Sequence, residues 1–192
     1  KKDAQFYYPL DDHFYNQPFN SGSVVNIDYF GIKEGDPNRS RSDIFIHDYK
    51  NSNDFIIQLR CLDTLDEIYF AKIPFKSTLL NTYQEVISRV ISDNTELFNG
   101  GDILKIPYIK FDTTARYSNI ESAILTNELL KGKAFQSTSQ RINFDLNPQG
   151  IKLESIAESI IDFADFENPP PRILAFDKPF LIIMKRSNSK LP

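Results

Sequence analysis

Arg141–Phe180 reads RINFDLNPQGIKLESIAESIIDFADFENPPPRILAFDKPF. Phe144 and Leu146 alternate with Asp145 and Asn147, the period of a strand. Asn147-Pro148-Gln149-Gly150 is a turn sequence. Beyond it Leu153, Ile156, Ala157, Ile160, Ile161 and Ala164 recur at helical spacing, with Glu154, Glu158 and Asp162 on the wet face. Pro169-Pro170-Pro171 cannot continue a helix and imposes an extended passage. Ile173–Phe176 is short and extended, and the fully apolar Phe180–Met184 predicts a central strand. Residues 147–172 therefore form an excursion inserted between two core strands. Such excursions are where a scaffold displays function.

Upstream, the chain reads as scaffold. Aromatic residues crowd positions 4–30, and their packing is that of a sheet core. Val24–Phe30, Asp43–Tyr49, Phe55–Leu62 and Glu67–Ile73 are strand sequences, the last two joined across Asp63–Asp66 as a hairpin. Phe55-Ile56-Ile57 predicts a strand buried on both faces. Thr78–Asp93 carries Leu79, Leu80, Tyr83, Val86, Ile87 and Val90 on one helical face, with Ser77 or Thr78 as cap. Asn99-Gly100-Gly101-Asp102 is a turn. Ile103–Phe111 is a strand in which Pro107 implies an edge or a bulge. Asn119–Lys131 predicts a second helix, stopped by Gly132. Ala134–Leu146 is extended. The fold class is α+β, with β-rich mixed or antiparallel sheets and two or three helices. The 192 residues suit a single domain or a piece of a larger protein.

Composition excludes several functions. Apolar residues make up 41%, charged residues 25%, and 16 Phe and 9 Tyr favour strands. The net charge of -4 and the absence of a basic cluster argue against nucleic acid. No apolar run is long enough for a membrane span. His13 and His47 stand isolated, and with Cys61 as the lone cysteine they give no metal-ligand spacing, so no metal or other cofactor is expected. Cys61 lies between Leu59 and Leu62, where a thiol's pKa rises and nucleophilic catalysis is unsupported. No serine sits in a nucleophile motif, and the carboxylate pairs flank turns, so no catalytic residue is assigned. The compartment stays open. The Asn, Ile, Lys, Phe and Tyr usage is that of an AT-rich genome, and a secreted or a virus- or parasite-associated protein fits it.

Residues 172–192, RILAFDKPFLIIMKRSNSKLP, resemble the C-terminal strand region of the serpins. In that family a basic residue followed by Pro-Phe comes after the reactive-centre loop and opens a buried strand; here it is Lys178-Pro179-Phe180. Ile142–Gly150 resembles the strand leading to the family's hinge glycine, here Gly150. Phe55–Pro74 resembles its paired strands around a short turn, Thr82–Val90 the helix after them, and Leu104–Asp112 the strand with a Pro-Lys-Phe element. Phe14–Tyr29 resembles the earlier Phe-rich part. The resemblance covers the C-terminal half of a serpin and implies its sheets.

The departures shape the functional expectation. Inhibitory serpins carry a glutamate two places before the hinge glycine, where this chain has Pro148. They follow the glycine with threonine and alanines, small residues that let the cleaved loop enter a sheet and trap the protease. Here Ile151-Lys152-Leu153-Glu154 follows, bulky and charged. A charge buried by insertion would cost several kcal/mol, and Pro148 donates no ladder hydrogen bond. The excursion is also long, with 27 residues between Gly150 and Lys178. The expectation is a non-enzymatic, serpin-like protein-interaction domain without a competent hinge, its hinge positions being Pro148, Gly150, Ile151, Lys152 and Glu154. Ile160, Asp162, Phe163, Asp165, Phe166 and Arg172 form an aromatic–acidic tip for a protein partner, either a protease or another subunit. The alternatives are a serine or cysteine protease inhibitor with its reactive loop in 150–172, and a structural or assembly protein of a virus or parasite.

Overall fold

A computed structural model of the chain describes residues 4–33, 41–91, 95–121, 123–151 and 170–187. The described strands are β1 (Ala4–Gln5), β2 (Asp12–Asn20), β3 (Val24–Ile32), β4 (Arg41–Asn51), β5 (Asp54–Arg60) and β6 (Asp66–Lys72). After helix α1 (Leu79–Val90) come β7 (Glu96–Phe98), β8 (Ile103–Pro107), β9 (Ile109–Arg116), β10 (Ser139–Asn147), β11 (Gly150–Ile151), β12 (Ile173–Ala175) and β13 (Leu181–Arg186). They belong to two compact units, 1–108 with 146–192, and 109–145.

In the first unit a five-stranded sheet runs β13-β6-β5-β4-β7, and a four-stranded one β12-β8-β3-β2. The five-stranded sheet has two apolar faces because β5 has two. Ile56, Tyr69, Ala71 and Ile183 meet Val86 of α1, with Tyr83, Ile87 and Val90 at the margin. On the other face Phe55 and Phe70 pack against Phe176, with ring centroids 5.0 and 5.6 Å apart. Successive side chains of a strand leave opposite faces, so the Phe55-Ile56-Ile57 run fills both layers, and all three are fully buried. The α1 start follows from Thr78, whose hydroxyl accepts the Asn81 N–H at 3.1 Å. Arg89 in the last turn ties the helix to the sheet through Asp48 and Asp54, each at 2.6 Å.

Several expectations are corrected. Phe180–Met184 falls mostly in β13, which was expected to be central and which, among the described residues, pairs only with β6, at the end of its sheet. Its apolar run serves one buried position, Ile183. The aromatic run at 14–19 belongs to β2, which forms a hairpin with β3. Pro107 closes β8, and Tyr108 separates it from β9. Glu96–Phe98 is a short strand that its sequence did not announce.

The second unit holds β9 hydrogen-bonded to β10 up to Asp145. Phe111 stacks on Phe144 at 5.3 Å, and Arg141 pairs with Asp112. The helix predicted over Asn119–Lys131 is absent: one 3-10 turn, Glu128–Leu130, stands there. Instead, Leu125 N–H donates to Lys133 O at 2.8 Å, and Gly132 N–H to Leu125 O at 3.1 Å. Ile124 is 71% exposed and Leu129 91%, so no packed surface rewards a helix there, and packing supplies most helical stability. The described residues therefore hold one α-helix where two or three were expected.

Candidate functional site

The described residues stop at Ile151 and resume at Pro170, and the two ends so defined are anchored by different groups. At the departure, Asn147 Oδ1 accepts the Gln149 N–H at 3.0 Å and closes an Asx turn. Pro148 O then accepts from Leu10 N–H at 3.0 Å, and Gln149 O from Phe6 N–H at 3.1 Å. Beyond the turn β11 lies between two strands. Gly150 and Ile151 pair with Gln5 and Ala4 of β1 on one side, and with Asn147 and Leu146 of β10 on the other. Gly150 has φ +128°, and a Cβ added there would stand 2.6 Å from Ala4 O and 2.8 Å from Gln5 Cα. Only glycine fits this slot. Pro148 is buried in the turn and not in the ladder, so its missing N–H costs no strand bond.

At the return, buried charge is added to backbone pairing. Arg172 is 7% exposed and Asp102 1%. The Arg172 backbone N–H donates to Asp102 Oδ1 at 2.8 Å, and its guanidinium reaches Asp102 Oδ2 at 2.8 Å, Leu97 O at 2.9 Å and Glu96. Ile103 N–H closes the junction on Arg172 O at 2.9 Å. β12 then runs parallel to β8. A second ion pair follows. Lys72, on the aromatic face of β6, donates to Asp177 Oδ1 at 2.5 Å, Ser52 O at 2.7 Å and Ala175 O at 2.8 Å.

Of the residues singled out in the sequence, the structure brings Pro148, Gly150 and Ile151 together in the departure turn. Arg172, expected on a partner-binding tip, turns inward, its guanidinium committed to Asp102, Glu96 and Leu97 O. Lys152, Glu154, Ile160, Asp162, Phe163, Asp165 and Phe166 lie outside the described residues. Lys72, Asp102 and Asp177 were passed over as site residues. Lys72 carried one signal, a lone lysine inside the apolar IYFAKIP run.

Other reactive groups are accounted for. Burial, and then the charges of Asp66, Asp63 and Glu67, push the Cys61 thiol up to about 12, so no thiolate is available. His47 sits between Gln58 Oε1 at 2.9 Å and Thr95 Oγ1 at 3.2 Å, and burial lowers its pKa. Among the described residues no group of three or more His, Cys, Asp or Glu could hold a metal ion. Also among them, no helix is long and apolar enough to cross a membrane.

No family model and no curated protein sequence matches the chain. Solved structures do. A serpin from the trematode Schistosoma haematobium aligns over 100% of this chain and 52% of its own, with a TM-score of 0.63 at 14% identity. Serpin48 of the insect Tenebrio molitor aligns over 96% and 50%, with a TM-score of 0.57 at 12% identity. Human thyroxine-binding globulin, crystallised with thyroxine, aligns over 96% and 50%, with a TM-score of 0.59 at 12% identity. The fold is that of the serpin C-terminal half, and the chain spans about half the length of the structures it matches.

Proposed function

We propose that the chain is a non-enzymatic protein-interaction domain of serpin fold that offers the segment between Ile151 and Pro170 to a partner protein without a working insertion hinge. The observation that carries this reading is the departure clamp. The first residues of the excursion are paired on both sides, and the turn before them buries Pro148 and is fixed by two backbone hydrogen bonds. Bulky Ile151 fills the place after the glycine. The return is held by a buried arginine, so the segment is displayed from two fixed points, which lowers the ordering cost of a docking loop. A fold does not dictate its use, and the thyroxine complex of the human globulin fits a role in binding.

One observation favours a second reading, an inhibitor of serine or cysteine proteases. Ile151 shares its buried face with Leu146 and Ala4. Strand alternation continued from there would put Leu153, Ser155 and Ala157 on that face, and Lys152 and Glu154 on the opposite one. The charge-burial cost expected from the sequence does not arise in that register.

Incubation with a panel of serine and cysteine proteases separates the two, followed by intact mass and thermal melting. Cleavage within 152–169 without a covalent adduct and without a rise in melting temperature is the expected result. A stable acyl-enzyme adduct, or a large rise in melting temperature after the cut, would establish the inhibitor and overturn the proposal.

A further inference from the structure

His13 and Tyr15, on one face of β2, form a row of rings with Tyr108. The His13 Nδ1 and the Tyr108 hydroxyl are 2.8 Å apart. Their rings lie within 4° of parallel, with centroids 6.0 Å apart. Tyr15 extends the row, its ring 11° from that of His13 at 5.9 Å. Fully buried Phe30 meets Tyr108 edge-on at 5.0 Å, so the row rests on the core. Its outer side is open: Tyr15 is 68% exposed and Tyr108 37%. A bulge sets Tyr15 in line. The register of β2 on β3 shifts between Phe14 and Gln17, and Asn16 adopts φ +52°. Asp28 Oδ1 holds the Asn16 N–H at 2.9 Å. Bulges re-aim side chains, and backbone in this region persists only where its surroundings hold it.

The charges beside the row select the ligand. Asp11 and Asp28 are exposed. Asp28 O accepts the Tyr108 N–H at 3.1 Å, and Asp11, two residues before His13, bridges to Gly31 beside Phe30; burial, then Tyr15, Asp28 and Asp11, raise the Tyr108 phenol pKa. Ring faces are negative at their centres, so rings and carboxylates together attract a cation and repel phosphate, which disfavours nucleic acid. The nearby lysines do not neutralise this face. Lys33 and Lys105 lie over Phe14, at 5.5 and 4.7 Å from its centroid. Phe14, next to His13 in the strand, leaves β2 on the opposite side. Arginine suits a flat row of rings better than lysine does, because its guanidinium is planar and stacks.

We propose that the Tyr15–His13–Tyr108 row docks an arginine side chain of a partner protein, the guanidinium stacking on the rings and donating to Asp11 and Asp28. The row lies on β2 and on Tyr108, the residue that follows β8, and adds a second contact of defined chemistry to the proposed interaction role.

The test is a titration of the intact chain with the blocked peptide acetyl-Gly-Arg-Gly-Arg-Gly-amide, followed by proton NMR of the two histidine rings. The His13 signal is expected to move, and that of His47, buried elsewhere, to stay. The citrulline counterpart, the same shape without the charge, is expected to bind at least about fivefold more weakly. Tyr15→Ala should weaken the arginine peptide by a similar factor, about fivefold, while Tyr15→Phe keeps the affinity. Asp11→Asn should weaken the arginine peptide alone and provides a second variant should Tyr15→Ala fold poorly. Equal binding of the two peptides would make the row a neutral stacking platform and overturn the proposal. So would an unmoved His13 signal up to about 10 mM peptide, or an affinity indifferent to both Tyr15→Ala and Asp11→Asn.

Discussion

Both ends of the excursion are tied into strands, but only the return adds buried charge. The departure at Asn147–Ile151 is held by main-chain hydrogen bonds, and its specificity is steric, concentrated in the missing Cβ of Gly150. The return at Arg172–Asp177 adds side-chain charge to its strand pairing with β8: Arg172 is buried on Asp102, and buried Lys72 meets a half-exposed Asp177. A backbone clamp tolerates almost any side chain that points away from it, and fails where an atom is added. A buried ion pair accepts replacement of both partners by apolar groups, and fails where one partner is removed. The difference teaches where each anchor is vulnerable.

The largest effect is expected at the return. Asp102→Ala leaves the buried Arg172 guanidinium with Glu96 and a single carbonyl, and should cost about 3 kcal/mol or more. Denaturant unfolding measures it. Asp102→Ala combined with Arg172→Met should recover much of that loss, and a double variant no better than the single one would break the comparison. A smaller effect is expected at the departure. Gly150→Ala forces a Cβ into Ala4 O at a positive φ, and should cost about 1–3 kcal/mol. It should also speed proteolysis near Ile151, read by mass after limited digestion. An unaltered melting temperature in Gly150→Ala would mean that the slot opens freely.

The smallest effect concerns pH and sharpens the comparison, since it reaches the return and not the departure. Thr95, which touches His47, directly precedes Glu96 and Leu97, two partners of Arg172. Burial lowers the His47 pKa in the folded chain below its ordinary 6.5. The unfolded chain therefore binds the proton more readily. The stabilising contribution of neutral His47 is complete above 6.5 and is lost as pH falls through the folded-state value. Melting temperature should fall over that acid range, and His47→Gln should flatten that part of the profile. A profile unchanged by His47→Gln would remove His47 as its source.

The resemblance to the serpin C-terminal half was legible in short, ordered signals: Lys178-Pro179-Phe180, the strand into Gly150, and the hairpin around Asp63–Asp66. The fold bears it out. What was misread shared one physical cause, the dependence of local structure on distant partners. Asn119–Lys131 has helical spacing but no surface to pack on, and exposed Ile124 and Leu129 leave it as turns. Phe180–Met184 is apolar enough for a central strand, yet among the described residues β6 is its sole neighbour. The reading of Arg172 as a contact for a partner failed because nothing local tells a buried arginine from an exposed one; the deciding group, Asp102, lies 70 residues away.

The chain by itself determined its β-rich class, the hairpin around Asp63–Asp66 and the α1 helix with its Thr78 cap. These rest on period, turn chemistry and capping, which act within a few residues. Only the tertiary structure decided which residues anchor the excursion and which way they face. It set Gly150 between β1 and β10, Arg172 on Asp102 and Lys72 on Asp177. Strand register and burial are long-range quantities, fixed when separated segments meet, and a one-residue shift reverses them.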